Sequence, residues 1–263
     1  MTPSLPPPFS ALLSPRSLIY LKASPQRPSH LHPMNVIPSS HTPSSAASPE
    51  TIAAALIRAF AACERRDWPF RHLLLSACLP EALRAELAAY DLPLPPPETG
   101  SGRRESANES RFFFDPDRAA AWPAADALRR ALIAPEVVAA IASASGAALS
   151  GTHLRIEYCR DQDGFWLEPH TDIAAKRLTF LIYLSEEGGR EDWGTDLYDA
   201  ALRHVGRAPA GPNRGLVFVP AADTWHGFEK RPIRGLRRSL IINYVGPEWR
   251  ARHELAWPDQ PLP

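Results

Sequence analysis

Lysine is almost missing from this chain. It stands only at positions 22, 176 and 230, among 29 basic residues that 29 acidic residues balance to zero net charge. The remaining basic residues are arginines, a bias of base composition rather than a binding stripe. The overall balance therefore gives no pull toward nucleic acid or an anionic membrane. Cysteine is scarce too: Cys63, Cys78 and Cys159 are widely spaced, odd in number and form no CxxC pair. That excludes a disulfide framework and a zinc ribbon, and fits a reduced, cytoplasmic protein. No run of about 18 apolar residues occurs, so a transmembrane helix is not expected. The first 49 residues contain no Asp or Glu and are dense in Pro and Ser. Such a stretch buries too little apolar surface to offset chain entropy. It has no charged start followed by a long apolar run, which argues against a secretory signal. Disorder, or a start upstream of an alternative Met34, fits it better than a transit segment.

The rest of the 263 residues suffices for one large domain or two small ones. Residues 50–90 read as helix, turn, helix. Ser48-Pro49-Glu50-Thr51 caps the first, and Pro80 opens the second. Residues 91–104 are rich in Pro and Gly and read as loop. Glu109 to Asp115 looks extended around Phe112-Phe113-Phe114, where Asn108 and Arg111 would serve structural roles or reach the mouth of a site. Residues 124–148 carry one or two alanine-rich helices around Pro135. From residue 152 short strand-like runs follow one another: 154–159, 178–185, 195–199, 215–220, 225–228 and 238–245. Such a series predicts a β-sandwich or barrel. Residues 178–184 are apolar on both faces, so that strand should be covered, with the preceding helices as its cover. The expected organisation is a disordered leader (1–48), a helical support region (49–150), a β core (151–248) and a C-terminal tail (249–263).

Within the β region, His170 and Asp172 lie two residues apart and share one face if the chain is extended. His226 follows 56 residues later, on a late strand. Each is weak alone. Two imidazoles and a carboxylate together form the facial triad of non-haem iron sites, which leaves the opposite positions open. In the final strand, Arg237, Ser239, Ile241 and Asn243 would share the face turned to the barrel interior. Arg238, Leu240, Ile242 and Tyr244 would face the helices. An inward arginine requires an anion. No internal acid is evident in the sequence, and the planar fork suits a carboxylate held bidentately. A shift of register by one residue would put Arg238 in its place.

With these residues in view, residues 152–246 resemble the catalytic core of the Fe(II)- and 2-oxoglutarate-dependent dioxygenases, in the prolyl 4-hydroxylase-like branch. The resemblance implies a mainly β fold with α: a double-stranded β-helix (jelly roll) with the helical layer packed on one sheet. It implies that His170, Asp172 and His226 hold Fe(II), and that Arg237, in Arg237-Arg238-Ser239, binds the far carboxylate of 2-oxoglutarate. Tyr158 resembles a tyrosine that contacts this cosubstrate, and Tyr183 one that hydrogen-bonds the same carboxylate. Halogenating relatives have a small residue where Asp172 stands, so Asp172 points to hydroxylation. The implied reaction consumes O2 and decarboxylates 2-oxoglutarate to succinate and CO2, with ascorbate as a supporting reductant. The substrate would be a small molecule or a residue in a protein or peptide. Two other readings stay open: a cupin-like metal isomerase and a non-catalytic barrel. The first would need more ligands than the spare His153 and His204 offer; the intact triad and Arg237 argue against the second. Glu186 to Gly194 would be a solvated hairpin or a lid.

Overall fold

The computed structural model describes residues 48–92, 102, 111–185 and 191–263. The expected leader, Asn108, most of the Pro/Gly-rich loop and residues 186–190 lie outside the described residues. Helix α1 (Pro49–Ala61) starts as its sequence dictates. Ser48 has extended backbone angles, and its side chain accepts a hydrogen bond from the Thr51 N–H. Pro49 occupies the first turn, where its missing N–H costs nothing. Helices α2 (Glu81–Ala88), α3 (Pro116–Ala121), α4 (Pro123–Ile133) and α5 (Pro135–Ser145) complete the layer. Asp115 caps α3 through the Arg118 N–H at 2.9 Å. Gly146 ends α5 with φ 78°, a left-handed conformation that suits glycine. No helix of the described residues is long and apolar enough to cross a membrane.

Between α1 and α2 the structure departs from the expected helix–turn–helix. Strands β1 (Glu64–Arg66) and β2 (His72–Leu75) stand there instead. The leucines of β2 favour a helix in isolation. Antiparallel pairing with Gly215–Phe218, far along the chain, overrides that preference.

The β region forms two sheets. The larger runs β1-β2-β9-β6-β11-β4-β3 and includes β3 (Phe112–Phe113), β4 (His153–Asp161), β6 (Lys176–Tyr183), β9 (Gly215–Phe218) and β11 (Arg237–Val245). The smaller runs β5-β10-β7-β8, from β5 (Leu167–His170), β7 (Asp196–Tyr198), β8 (His204–Arg207) and β10 (His226–Phe228). Strands β4 to β11 pass back and forth between the two sheets, with β7 and β8 consecutive in the smaller one, and make the double-stranded β-helix. Strands β5 and β8 escape a sequence reading. The first is four residues with an internal proline, and the second is largely exposed.

The large sheet has two buried faces. Leu154, Ile156, Leu178, Phe180, Ile182, Leu240 and Ile242 pack with the helices in one apolar cluster. Leu181, Tyr183, Leu197, Phe218 and Phe228 form a second cluster inside the barrel. The tail closes on the edge of β4: the Ala256 N–H donates to Leu154 O at 2.9 Å and the Leu262 N–H to Thr152 O at 2.7 Å.

Candidate metal centre

His170 ends β5 and His226 begins β10, and the two are direct partners across that antiparallel pair. Their ring centroids lie 4.3 Å apart. The close approach depends on Gly227. A Cβ there would stand 2.8 Å from the Leu167 carbonyl oxygen, so any larger residue would push β10 off β5. Asp172 lies just past the end of β5 rather than on the strand itself. Its carboxylate still turns inward and is buried. One ligand atom from each of His170, Asp172 and His226 lies within 4.8 Å of the others.

Hydrogen bonds orient these donors. Nδ1 of His170 lies 2.9 Å from Glu168 O, and Nδ1 of His226 lies 2.9 Å from Thr224 O. A carbonyl only accepts, so each Nδ1 carries the proton and Nε2 is left as the ligand nitrogen. Burial, then the neighbouring His170, push the His226 imidazole down to about 3, so it is neutral at pH 7. Asp172 is held on both oxygens. Lys176 Nζ pairs with Oδ1, and the Thr179 hydroxyl donates to Oδ2 at 2.6 Å. Two imidazoles and one carboxylate fit a divalent cation such as Fe(II) in nitrogen and oxygen type, and the facial arrangement suits one that must keep open positions.

A pocket of about 570 Å³, mouth included, joins this triad to Arg237 and is also lined by Arg111, Asp161 and Thr195. The register of β11 turns the two arginines to opposite faces. Arg237 faces the pocket, while Arg238 neighbours Leu240 on the helix side. One expectation for Arg237 is corrected: an internal acid does face it. Asp161 is its partner across β4 and β11, and Nη1 of Arg237 forms an ion pair with it. Nε donates to Trp193 O at 2.7 Å. Nη2 makes no hydrogen bond to a described residue, so one corner of the guanidinium, not a full fork, is left for an anion. The rings of Phe228 and Tyr183 lie 4.6 and 5.7 Å from its central carbon.

The two tyrosines part company. Tyr183 lies inside the barrel beside Arg237, its hydroxyl 2.8 Å from Thr195 Oγ1 and accepting from the Thr195 N–H at 3.1 Å. Tyr158 is a correction. It shares a face of β4 with Leu154 and Ile156, stacks on Phe114, and donates to Leu87 O at 2.7 Å in α2. The thickness of the sheet separates it from the pocket.

Arg111, expected near the site mouth, lines the pocket, but sequence reasoning missed residues on the inner face of β4. Arg155, Glu157 and Asp161 alternate along β4, and Arg111 pairs with Glu157. That polar alternation is visible in residues 153–161 once the strand is recognised. A second cluster, Asp196, His204 and Glu229, is compact but already neutralised: Arg207 and Arg231 reach Asp196 at 2.5 and 2.6 Å. It reads as a structural ion-pair knot.

No family model and no curated protein sequence matches the chain. Solved structures do. A prolyl 4-hydroxylase from Phytophthora capsici aligns with TM-score 0.52 and 16% identity, over 81% of this chain and 70% of that one. A Pseudomonas putida prolyl-4-hydroxylase aligns with TM-score 0.46 and 19% identity, over 74% and 94% of the two chains. A 2OG-Fe(II) oxygenase family oxidoreductase from Burkholderia pseudomallei gives 0.48 and 17%, over 75% and 90%. The likeness is one of architecture: the chain has the fold of the Phytophthora capsici prolyl 4-hydroxylase, a double-stranded β-helix backed by helices.

Proposed function

We propose that this protein is an Fe(II)- and 2-oxoglutarate-dependent dioxygenase that hydroxylates a small molecule or a residue of a protein or peptide. One observation carries the reading: an oriented His170, Asp172 and His226 set and the inward Arg237 open onto the same pocket. In the overall reaction the substrate C–H bond becomes C–OH, O2 is consumed, and 2-oxoglutarate leaves as succinate and CO2. Iron and cosubstrate, when bound, would supply the oxygen chemistry.

The protein's part is placement. His170, Asp172 and His226 would hold the iron from one side, with Nδ1 of each imidazole fixed on a backbone carbonyl. Asp172 brings a charged ligand rather than a gap for a halide, which supports hydroxylation. Arg237 would steady the far carboxylate through Nη2, with Thr195 and Tyr183 beside it. Phe165, Leu181 and Phe228 line the pocket and keep water scarce around the reacting atoms.

Purified protein supplied with Fe(II), ascorbate and 2-oxoglutarate should release succinate slowly even without substrate, and faster when a metabolite or peptide library contains the right one. A wild type that binds no iron and turns over no 2-oxoglutarate with any substrate would defeat the proposal. Iron binding without turnover would favour the non-catalytic barrel.

A further inference from the structure

We propose that Thr179 and Asn243 are positioning residues for Asp172, the last links of a buried hydrogen-bonded row that fixes the carboxylate toward the metal. The inference rests on the reading of the triad as a metal site. Asn243 of β11 lies directly opposite Thr179 of β6 on one side and Arg155 of β4 on the other. Three adjacent strands thus carry one polar row across the barrel interior. The Thr179 hydroxyl donates to Asp172 Oδ2 at 2.6 Å. Asn243 Nδ2 donates to Thr179 Oγ1 at 3.0 Å. Arg155 Nη1 donates to Asn243 Oδ1 at 3.1 Å and to Glu157 Oε2 at 2.6 Å. Arg155 Nε reaches Glu254 of the tail at 2.6 Å, and Arg111 holds the other oxygen of Glu157.

The direction of every bond is forced. An ionised Asp172 only accepts, so the single Thr179 proton goes to it. Thr179 must then accept from Asn243. Arg155 only donates, so Asn243 turns its oxygen that way. The row has one polarity and ends on the carboxylate. Thr179, Asn243, Arg155 and Glu157 are all buried. An apolar row of the same volume would fold at least as well, so general stability does not explain a chain of this direction. With Lys176 on Oδ1, it holds the Asp172 carboxylate in one orientation toward a cation.

Co(II) binding to the full-length protein tests this, read both by affinity and by the visible absorption of the complex. Thr179→Val keeps the shape and removes the hydroxyl. It should weaken Co(II) binding about 10–100-fold, the usual range for an outer-shell partner, and alter the spectrum. Thr179→Ser should restore both. Asn243→Ser, one link further back, should weaken binding in the same direction, and serves if the valine variant does not fold. Wild-type affinity and spectrum in a folded Thr179→Val or Asn243→Ser protein would overturn the row while leaving the metal site intact. A wild type that binds no Co(II) would overturn the metal site, and the row with it.

Discussion

The two faces of the β4–β11 pair are equally buried and chemically opposite. On the outer face, Leu154, Ile156, Leu240 and Ile242 meet the helices, and Tyr158 and Tyr244 send their hydroxyls to helix carbonyls at 2.7 and 2.6 Å. On the inner face, Arg155, Glu157, Asp161, Arg237, Ser239 and Asn243 are packed as deeply, but as charges and amides. Apolar burial contributes about 25 cal/mol per Å², whereas a buried ion pair roughly cancels its own desolvation cost. The same backbone therefore holds the fold with one face and the candidate site with the other. Depth of burial alone does not tell the two apart.

Breaking one partner of an inner pair should do the most damage. Lys176→Met removes the cation on Asp172, and the stranded carboxylate should lower the stability of the metal-free protein by about 3–5 kcal/mol. Urea denaturation at neutral pH measures it. A divalent cation takes over the role of the ammonium, so added Co(II) should stabilise the variant more than the wild type. Equal metal-free stabilities would mean that charge pairing does not hold the inner face. On the outer face, Leu240→Ala should cost about 2–5 kcal/mol through a cavity, yet leave the Co(II) affinity of the folded protein unchanged. A large loss of affinity there would erase the contrast between the faces.

Arg237 sharpens the comparison, because it belongs to an ion pair and to the proposed cosubstrate pocket at once. A charge-assisted hydrogen bond contributes about 1.5–3 kcal/mol, or roughly 10–150-fold. Arg237→Met combined with Asp161→Asn removes the pair without stranding the acid. That double variant should need about that much more 2-oxoglutarate for half-maximal succinate release. If Arg237 serves only its partner Asp161, the 2-oxoglutarate requirement will not move.

The contrast between faces was partly legible beforehand. Alternation in residues 237–244 gives the correct inward set, because the outward set is too apolar to face a site. The Ser48 cap and the prolines in the first turns of α4 and α5 announce helices by local chemistry alone. What was hidden depends on contacts between distant residues. Nothing local tells that Leu73 and Leu75 pair with β9, or that Asp161 lies opposite Arg237, 76 residues away. Tyr158 teaches the reverse: resemblance placed it at the cosubstrate, while its parity with Leu154 and Ile156 already put it under the helices.

The two faces also part by pH. His226 stays neutral in the folded protein until about pH 3, whereas an unfolded histidine takes up its proton near 6.5. Between those values the unfolded chain binds more protons, so stability is full above about pH 6.5 and falls as pH drops toward 3. The slope from this one residue is about 1.4 kcal/mol per pH unit. A His226→Gln variant lacks the titrating ring, so its stability should decline less steeply between pH 6 and 4 in urea titrations. Leu240→Ala, an apolar change on the helix side, should keep the wild-type slope. Parallel profiles for wild type and His226→Gln would show that protonation of this histidine does not drive acid unfolding. The inner face would then owe its acid sensitivity to its other titratable groups.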